Sequence, residues 1–301
     1  MLKRQLSRKK KRRASNAGEA PNLTWGFPGH LDSKQESAYE AVRQKITPDQ
    51  LRVIKFEVET EESALCRFLR ARKFDIGATT AMIEECVKIK QEHNAQEALQ
   101  IGPEELLGAP EDIFNTFNPF WYVGHDKHGN VLSVQKCGLL NTAAMATVCD
   151  PANALRYHWY SMESLNAQFE QCISETGQCR IGVTCIIDME GFKARKFTSQ
   201  ARHYLKTVSH LDSFCYPELM ARIFIVNAPK VFSAAWQAVR PFLDPRTVAK
   251  ISIYSSAAAA RSAMLEYVDE EALPAEFGGR AVAAGAAGGA LLAPWSDARA
   301  A

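Results

Sequence analysis

The sequence predicts an α/β protein in which a helical N-terminal region precedes a mostly parallel sheet. Three observations carry that prediction. From Leu31 to about Gln100 apolar side chains recur at helical spacing. The run 183–187, Val-Thr-Cys-Ile-Ile, is apolar apart from Thr184, as in a strand covered on both faces. Beyond it strand and helix alternate, which implies parallel strands joined by right-handed crossovers.

Taken in order, residues 1–24 offer almost nothing to bury and read as a disordered basic arm. In the helical region Thr60 suits an N-cap, and Glu61 and Glu62 follow it where the helix dipole favours anions. Asp75 suits the cap of the next helix, with Met82, Ile83, Cys86 and Val87 on its buried stripe. The turn Asp126-Lys127-His128-Gly129 leads into an alternating strand at 131–134. A single helix is predicted from about Ala152 to Cys172, with Leu155, Trp159, Met162, Leu165 and Phe169 on one side. After the strand at 183–187 comes a helix carrying Phe197, Ala201, Tyr204, Leu205, Val208 and Leu211. Strand Ile223–Val226, helix 229–240 and strand Ile251–Tyr254 complete the alternation. Asn227 and Pro229 suit the cap and first turn of that last helix. From 281 to 301 alanine and glycine dominate, without the pattern of a packed core.

Charge and cysteine content bound the function. The chain has 301 residues and a net charge of +2, but residues 1–18 hold eight Lys or Arg and no acid. The remainder carries 28 basic against 34 acidic groups, the opposite of a nucleic-acid-binding body. The basic arm could meet anionic lipid or serve as a nuclear or organelle address. Eight cysteines without CxxC spacing point to a reduced, intracellular protein. No apolar run approaches the ~18–20 residues of a spanning helix, and no secretory h-region follows the N-terminal charges.

Catalytic and metal signals are weak. Cys215 precedes Arg222, but six residues separate them where the phosphate loop of a cysteine phosphatase needs five, and no glycine eases the turn. His125, Asp126 and His128 share one turn without a second ligand pair of matching spacing, so no metal is expected. The common nucleophile, phosphate-loop and dinucleotide motifs are lacking, and the expected class is non-catalytic, with no cofactor. The most informative stretch is Cys215–Lys250. Glu218 lies before one strand, Lys250 at the start of the next, and an apolar helix runs between them. An apolar helix beside opposite charges suits an amphipathic ligand such as a lipid.

FLRARKFD, HDKHGN, IIDMEG, YPELM, IVNAP, PFLDPRTVAKI and LPAEFGG occur in one register. Together they resemble the CRAL-TRIO family, in its phosphatidylinositol/phosphatidylcholine transfer branch. The resemblance implies an N-terminal helical bundle (25–105) and a lipid-binding domain (106–280). In that domain a mixed, mostly parallel sheet forms a lipid pocket under a helical gate at about 229–247. By family register Arg72, Glu218, Thr247 and Lys250 fall on the phosphatidylinositol headgroup positions, and Tyr122 on a second-lipid headgroup position. Phe232, Trp236, Val239, Phe242 and Leu243 fall on the gate and acyl-chain wall.

There are departures from the family pattern. Leu219 stands where a second basic residue is usual. Val183 and Cys185 replace two hydroxyl residues, and Ser133 and Met162 two tyrosines, of the phosphatidylcholine site. The implied function is binding and exchange of phosphatidylinositol, together with a second hydrophobic lipid of unspecified kind. The implied protein is a cytoplasmic monomer that meets Golgi, endosomal or plasma membranes transiently and has no nucleic-acid partner. A lipid-sensing adaptor, or a carrier of a tocopherol, retinoid or sterol precursor, remains an alternative.

Overall fold

The computed structural model describes residues 24–178, 180–243 and 245–281. The predicted basic arm, apart from Thr24, and the predicted Ala/Gly tail, apart from Ala281, lie outside the described residues. Four N-terminal helices, Ser33–Arg43, Pro48–Ile54, Glu61–Ala71 and Ile76–Glu92, each begin after a residue whose side chain accepts a backbone N–H. These caps are Asp32, Thr47, Thr60 and Asp75. Each contributes about 1 kcal/mol. The helices bury Val42, Leu65, Phe68, Leu69, Met82, Ile83 and Cys86 in a core that also holds Trp159, Phe169, Leu211 and Cys215. The helical region and the sheet region therefore share one hydrophobic core.

Five strands form one sheet in chain order: β1 (Phe120–His125), β2 (Val131–Gln135), β3 (Val183–Asp188), β4 (Met220–Val226) and β5 (Ile251–Ile253). β1 is antiparallel to β2, and the other three pairings are parallel. Alternation gives the sheet two apolar faces. Leu132, Val134, Ile186, Phe224 and Val226 pack on one face against Ala260 and Met264 of the helix Ala257–Leu265. Cys185, Ile223 and Ile225 belong to the other face, under Phe232 and Trp236. Both faces are covered, which explains why β3 is apolar apart from Thr184, whose buried hydroxyl donates to Asp126.

Two predicted elements differ. The single helix expected from Ala152 to Cys172 is two, Pro151–Glu163 and Leu165–Thr176. The Ser164 hydroxyl donates to the Ser161 carbonyl at 2.9 Å where the two meet. A serine turned back onto the backbone competes with the helical ladder. The expected cap Asn227 is instead in the left-handed region at φ 52°, and its Nδ2 donates to Asp188 Oδ1 at 2.9 Å. The helix starts later, at Phe232–Val239.

The HDKHGN turn is held by a carboxylate. Asp126, 2% exposed, accepts from His128 N, Asn130 N, Asn130 Nδ2 and Thr184 Oγ1 at 2.7–2.9 Å. The hydrogen bonds of this group thus tie the β1–β2 turn to β3, and no metal-ligating cluster is found among the described residues. Asp126→Ala strands four donors and should cost about 3 kcal/mol, read as a lower urea midpoint, with Asp126→Asn costing less.

Candidate functional site

The loop between helix Ser199–Cys215 and β4 carries Glu218, on which a cluster of charges converges. Pro217 and Leu219 are buried, and Glu218 between them adopts φ 60°. That conformation lifts its carboxylate, 8% exposed, toward the short helix Pro245–Ala249 and Lys250. Glu218 Oε1 is 2.9 Å from Arg246 Nε, and Oε2 is 3.2 Å from Lys250 Nζ and 3.9 Å from Arg70 Nε. Three cations thus surround one carboxylate.

Arg70 and Glu218 in the cluster are buried, and Lys250 and Arg246 are partly exposed. Burial holds the Lys250 ammonium below its usual lysine range, against the pull of Glu218, and pushes Arg70 down to about 10. Desolvation of that size disfavours charge unless anions compensate. The buried Nε of Arg70 makes no hydrogen bond among the described residues. Its guanidinium lies 3.9 Å from the centroid of Phe27, and Nη1 donates to Gly26 O at 3.1 Å. Arg246 lies over Trp25 at 5.2 Å and also donates to the Arg70 carbonyl. Cations gathered in this way suit a phosphate, which accepts short charge-assisted hydrogen bonds.

The headgroup positions read from the sequence are distributed unevenly. Glu218 and Lys250 meet, because β4 and β5 are parallel neighbours. Thr247 shares the turn with Lys250, its carbonyl accepting Lys250 N at 3.0 Å. Arg72 sits over Phe214 at 5.6 Å and donates to the Ala71 carbonyl. The guanidinium that approaches Glu218 from FLRARKF belongs to Arg70, two residues earlier. Arg70 and Arg246 were missed by sequence reasoning. The signal for Arg246 was its place in PRTVAK, one residue before Thr247.

A largely apolar sheet face adjoins this charge. Tyr122, Ser133, Cys185, Ile223 and Ile251 stand in register across β1 to β5. The Tyr122 hydroxyl donates to Ser161 O at 3.3 Å, and burial raises it well above the ordinary phenol range. Burial likewise pushes the Cys185 thiol up to about 11. Phe232 and Trp236 pack toward this face, with Phe232 edge-on to Phe192 at 5.7 Å. Val239, Phe242 and Leu243 continue the segment, half-buried. A largely apolar cavity of about 340 Å³ opens between helices Thr142–Val148, Pro151–Glu163 and Ser199–Cys215, lined by Met145, Cys149, Leu155 and Tyr204. Cys215, 0% exposed and raised by its neighbour Cys86 and by burial, is placed as a packing residue.

The chain is similar to known proteins over most of its length. Residues 116–279 match the CRAL/TRIO domain model. The chain is 31% identical to the SEC14 cytosolic factor of Eremothecium gossypii, over 90% of this chain and 86% of that protein. It is 30% identical to the SEC14 cytosolic factor of Candida glabrata, over 94% and 90% respectively. It is also 30% identical to the phosphatidylinositol/phosphatidylcholine transfer protein SFH12 of Arabidopsis thaliana, over 82% of this chain and 44% of that protein. The crystal structure of Sfh5 shares the fold, with a TM-score of 0.61 at 13% identity, covering 75% of this chain and 82% of that one.

Proposed function

Because the chain belongs to the CRAL/TRIO domain family, we propose that it is a non-catalytic lipid-binding and transfer protein for phosphatidylinositol. The observation that carries this reading is Glu218 ringed by Arg70, Arg246 and Lys250 beside the apolar sheet face that Phe232 and Trp236 cover. Lys250 and Thr247 hold the headgroup phosphate, and Glu218 orients Lys250 and accepts from inositol hydroxyls. Phe232, Trp236, Val239, Phe242 and Leu243 form the gate over the acyl chains. Relatives that bear the name phosphatidylinositol/phosphatidylcholine transfer protein support this choice of ligand.

The row Tyr122–Ser133–Cys185 favours a second ligand less polar than a choline phospholipid. One serine and a buried, neutral thiol offer little to a phosphate. Exchange needs a membrane, because each acyl methylene exposed to water costs about 0.8 kcal/mol. Several relatives are named cytosolic factors, which supports work from the cytosol by transient contact.

Vesicle-to-vesicle movement of fluorescent phosphatidylinositol tests the transfer reading. The purified chain should accelerate it, and Trp236→Asp, which puts a charge against the sheet, should slow it by about tenfold or more, equal to about 1.4 kcal/mol. An adaptor would bind phosphatidylinositol yet leave the rate unchanged.

A further inference from the structure

The segment before the first helix lies on two arginines of the Glu218 cluster. Two turns precede the helix Ser33–Arg43, with Phe27 N donating to Thr24 O at 3.1 Å and His30 N to Phe27 O at 3.0 Å. Between Trp25 and Phe27, Gly26 is buried at φ 73°. A Cβ there would stand 2.6 Å from Phe74 Cε2 and 2.9 Å from Arg70 Cγ. This close approach lets Gly26 O accept Arg70 Nη1 at 3.1 Å and sets the flanking rings on two different guanidinium groups. Phe27 lies 3.9 Å from Arg70, and Trp25 lies 5.2 Å from Arg246. Trp25 also stands edge-on to Phe74 at 5.3 Å.

Arg246 is held by Glu218 Oε1, by the Arg70 carbonyl and by the Trp25 ring. Without the ring, a long side chain that is 31% exposed regains rotamers. Glu218 then loses its partner at Oε1, and its carboxylate is released toward Lys250, the cation proposed to meet phosphate. An aromatic face attracts a guanidinium through the ring quadrupole, which an aliphatic side chain lacks. Packing against Phe74 alone needs no cation, yet both rings face one.

We propose that Trp25 and Phe27 are positioning residues for the headgroup site. They hold Arg246 and Arg70 in the arrangement that leaves Lys250 available to a phosphate. The inference rests on the phosphatidylinositol reading proposed above. It adds the N-terminal turn to a site otherwise built from the helix Glu61–Ala71, the loop at Glu218 and the segment 245–250. Those parts are far apart in the chain, and the turn lies over the two arginines that join them.

The test is titration of the full chain with vesicles containing phosphatidylinositol, beside a thermal melt of each protein. Trp25→Leu keeps apolar bulk against Phe74 and removes the ring quadrupole. Affinity should fall about fivefold, the weight of one cation–π contact, with the melt close to the parent's. Trp25→Phe should restore most of the loss, and Phe27→Leu should weaken binding likewise through Arg70. Gly26→Val displaces the turn while leaving the side chains of the cluster unchanged, and should weaken binding at least as much. In an Arg246→Ala background, adding Trp25→Leu should cost nothing more, because Trp25 acts through Arg246. A parent that binds no phosphatidylinositol overturns the ligand reading and this inference with it. The positioning role alone is overturned if the parent binds while Trp25→Leu keeps parental affinity, Trp25→Phe is as weak as Trp25→Leu, or the losses add in the double variant.

Discussion

Arg67→Met is expected to destabilise the protein by about 3–5 kcal/mol, the usual cost of breaking a buried ion pair from one side. The Arg67 and Glu59 side chains are 1% and 0% exposed. The guanidinium bonds both carboxylate oxygens at 2.7 Å and donates to Pro217 O at 3.1 Å and Ile54 O at 3.2 Å. Methionine fills much of the volume but leaves Glu59 charged in the core and two carbonyls without donors. Against a typical total stability of about 5–15 kcal/mol, that loss is severe. Removing the stranded charge as well, in Arg67→Met/Glu59→Leu, should restore part of it. Urea unfolding of the three proteins decides the matter, and a single variant within about 1 kcal/mol of the parent would contradict the account. Because Pro217 adjoins Glu218, the same pair anchors the loop that presents the Glu218 carboxylate.

Lys250→Ala is the variant with the largest expected effect on ligand binding. It removes one charge-assisted contact to phosphate, worth about 1.5–3 kcal/mol, so affinity for phosphatidylinositol should fall about 10- to 150-fold. The fold should survive, since Glu218 keeps Arg246 at 2.9 Å and Arg70 nearby. Titration with phosphatidylinositol-containing vesicles, beside a thermal melt of each protein, separates lost binding from lost structure. An affinity unchanged from the parent would remove Lys250 from the headgroup site.

Much of the frame was legible because local chemistry and tertiary context agree in it. Thr60 and Asp75 cap helices in the structure as their side chains suggest. β3 reads as apolar because helices and gate cover both its faces. Pairing of Glu218 with Lys250 was legible once β4 and β5 were taken as parallel neighbours. Other features depend on side-chain reach. Arg70 is buried on the helix Glu61–Ala71 and turns toward Glu218, whereas Arg72, just past the helix end, sits over Phe214. One-dimensional register cannot separate two arginines two residues apart on such a turn. β1 was missed because Phe-Trp-Tyr-Val has no polar alternation, and Asn227 because its amide has a better partner in Asp188 than the helix end.

The cluster around Glu218 and Lys250 is proposed to hold phosphatidylinositol. Its most direct test is lipid mass spectrometry of extracts from the protein purified out of lysate, with Lys250→Ala beside it. The account predicts phosphatidylinositol in the parent and its depletion in the variant. A parent without phosphatidylinositol, or a variant carrying as much as the parent, would contradict it.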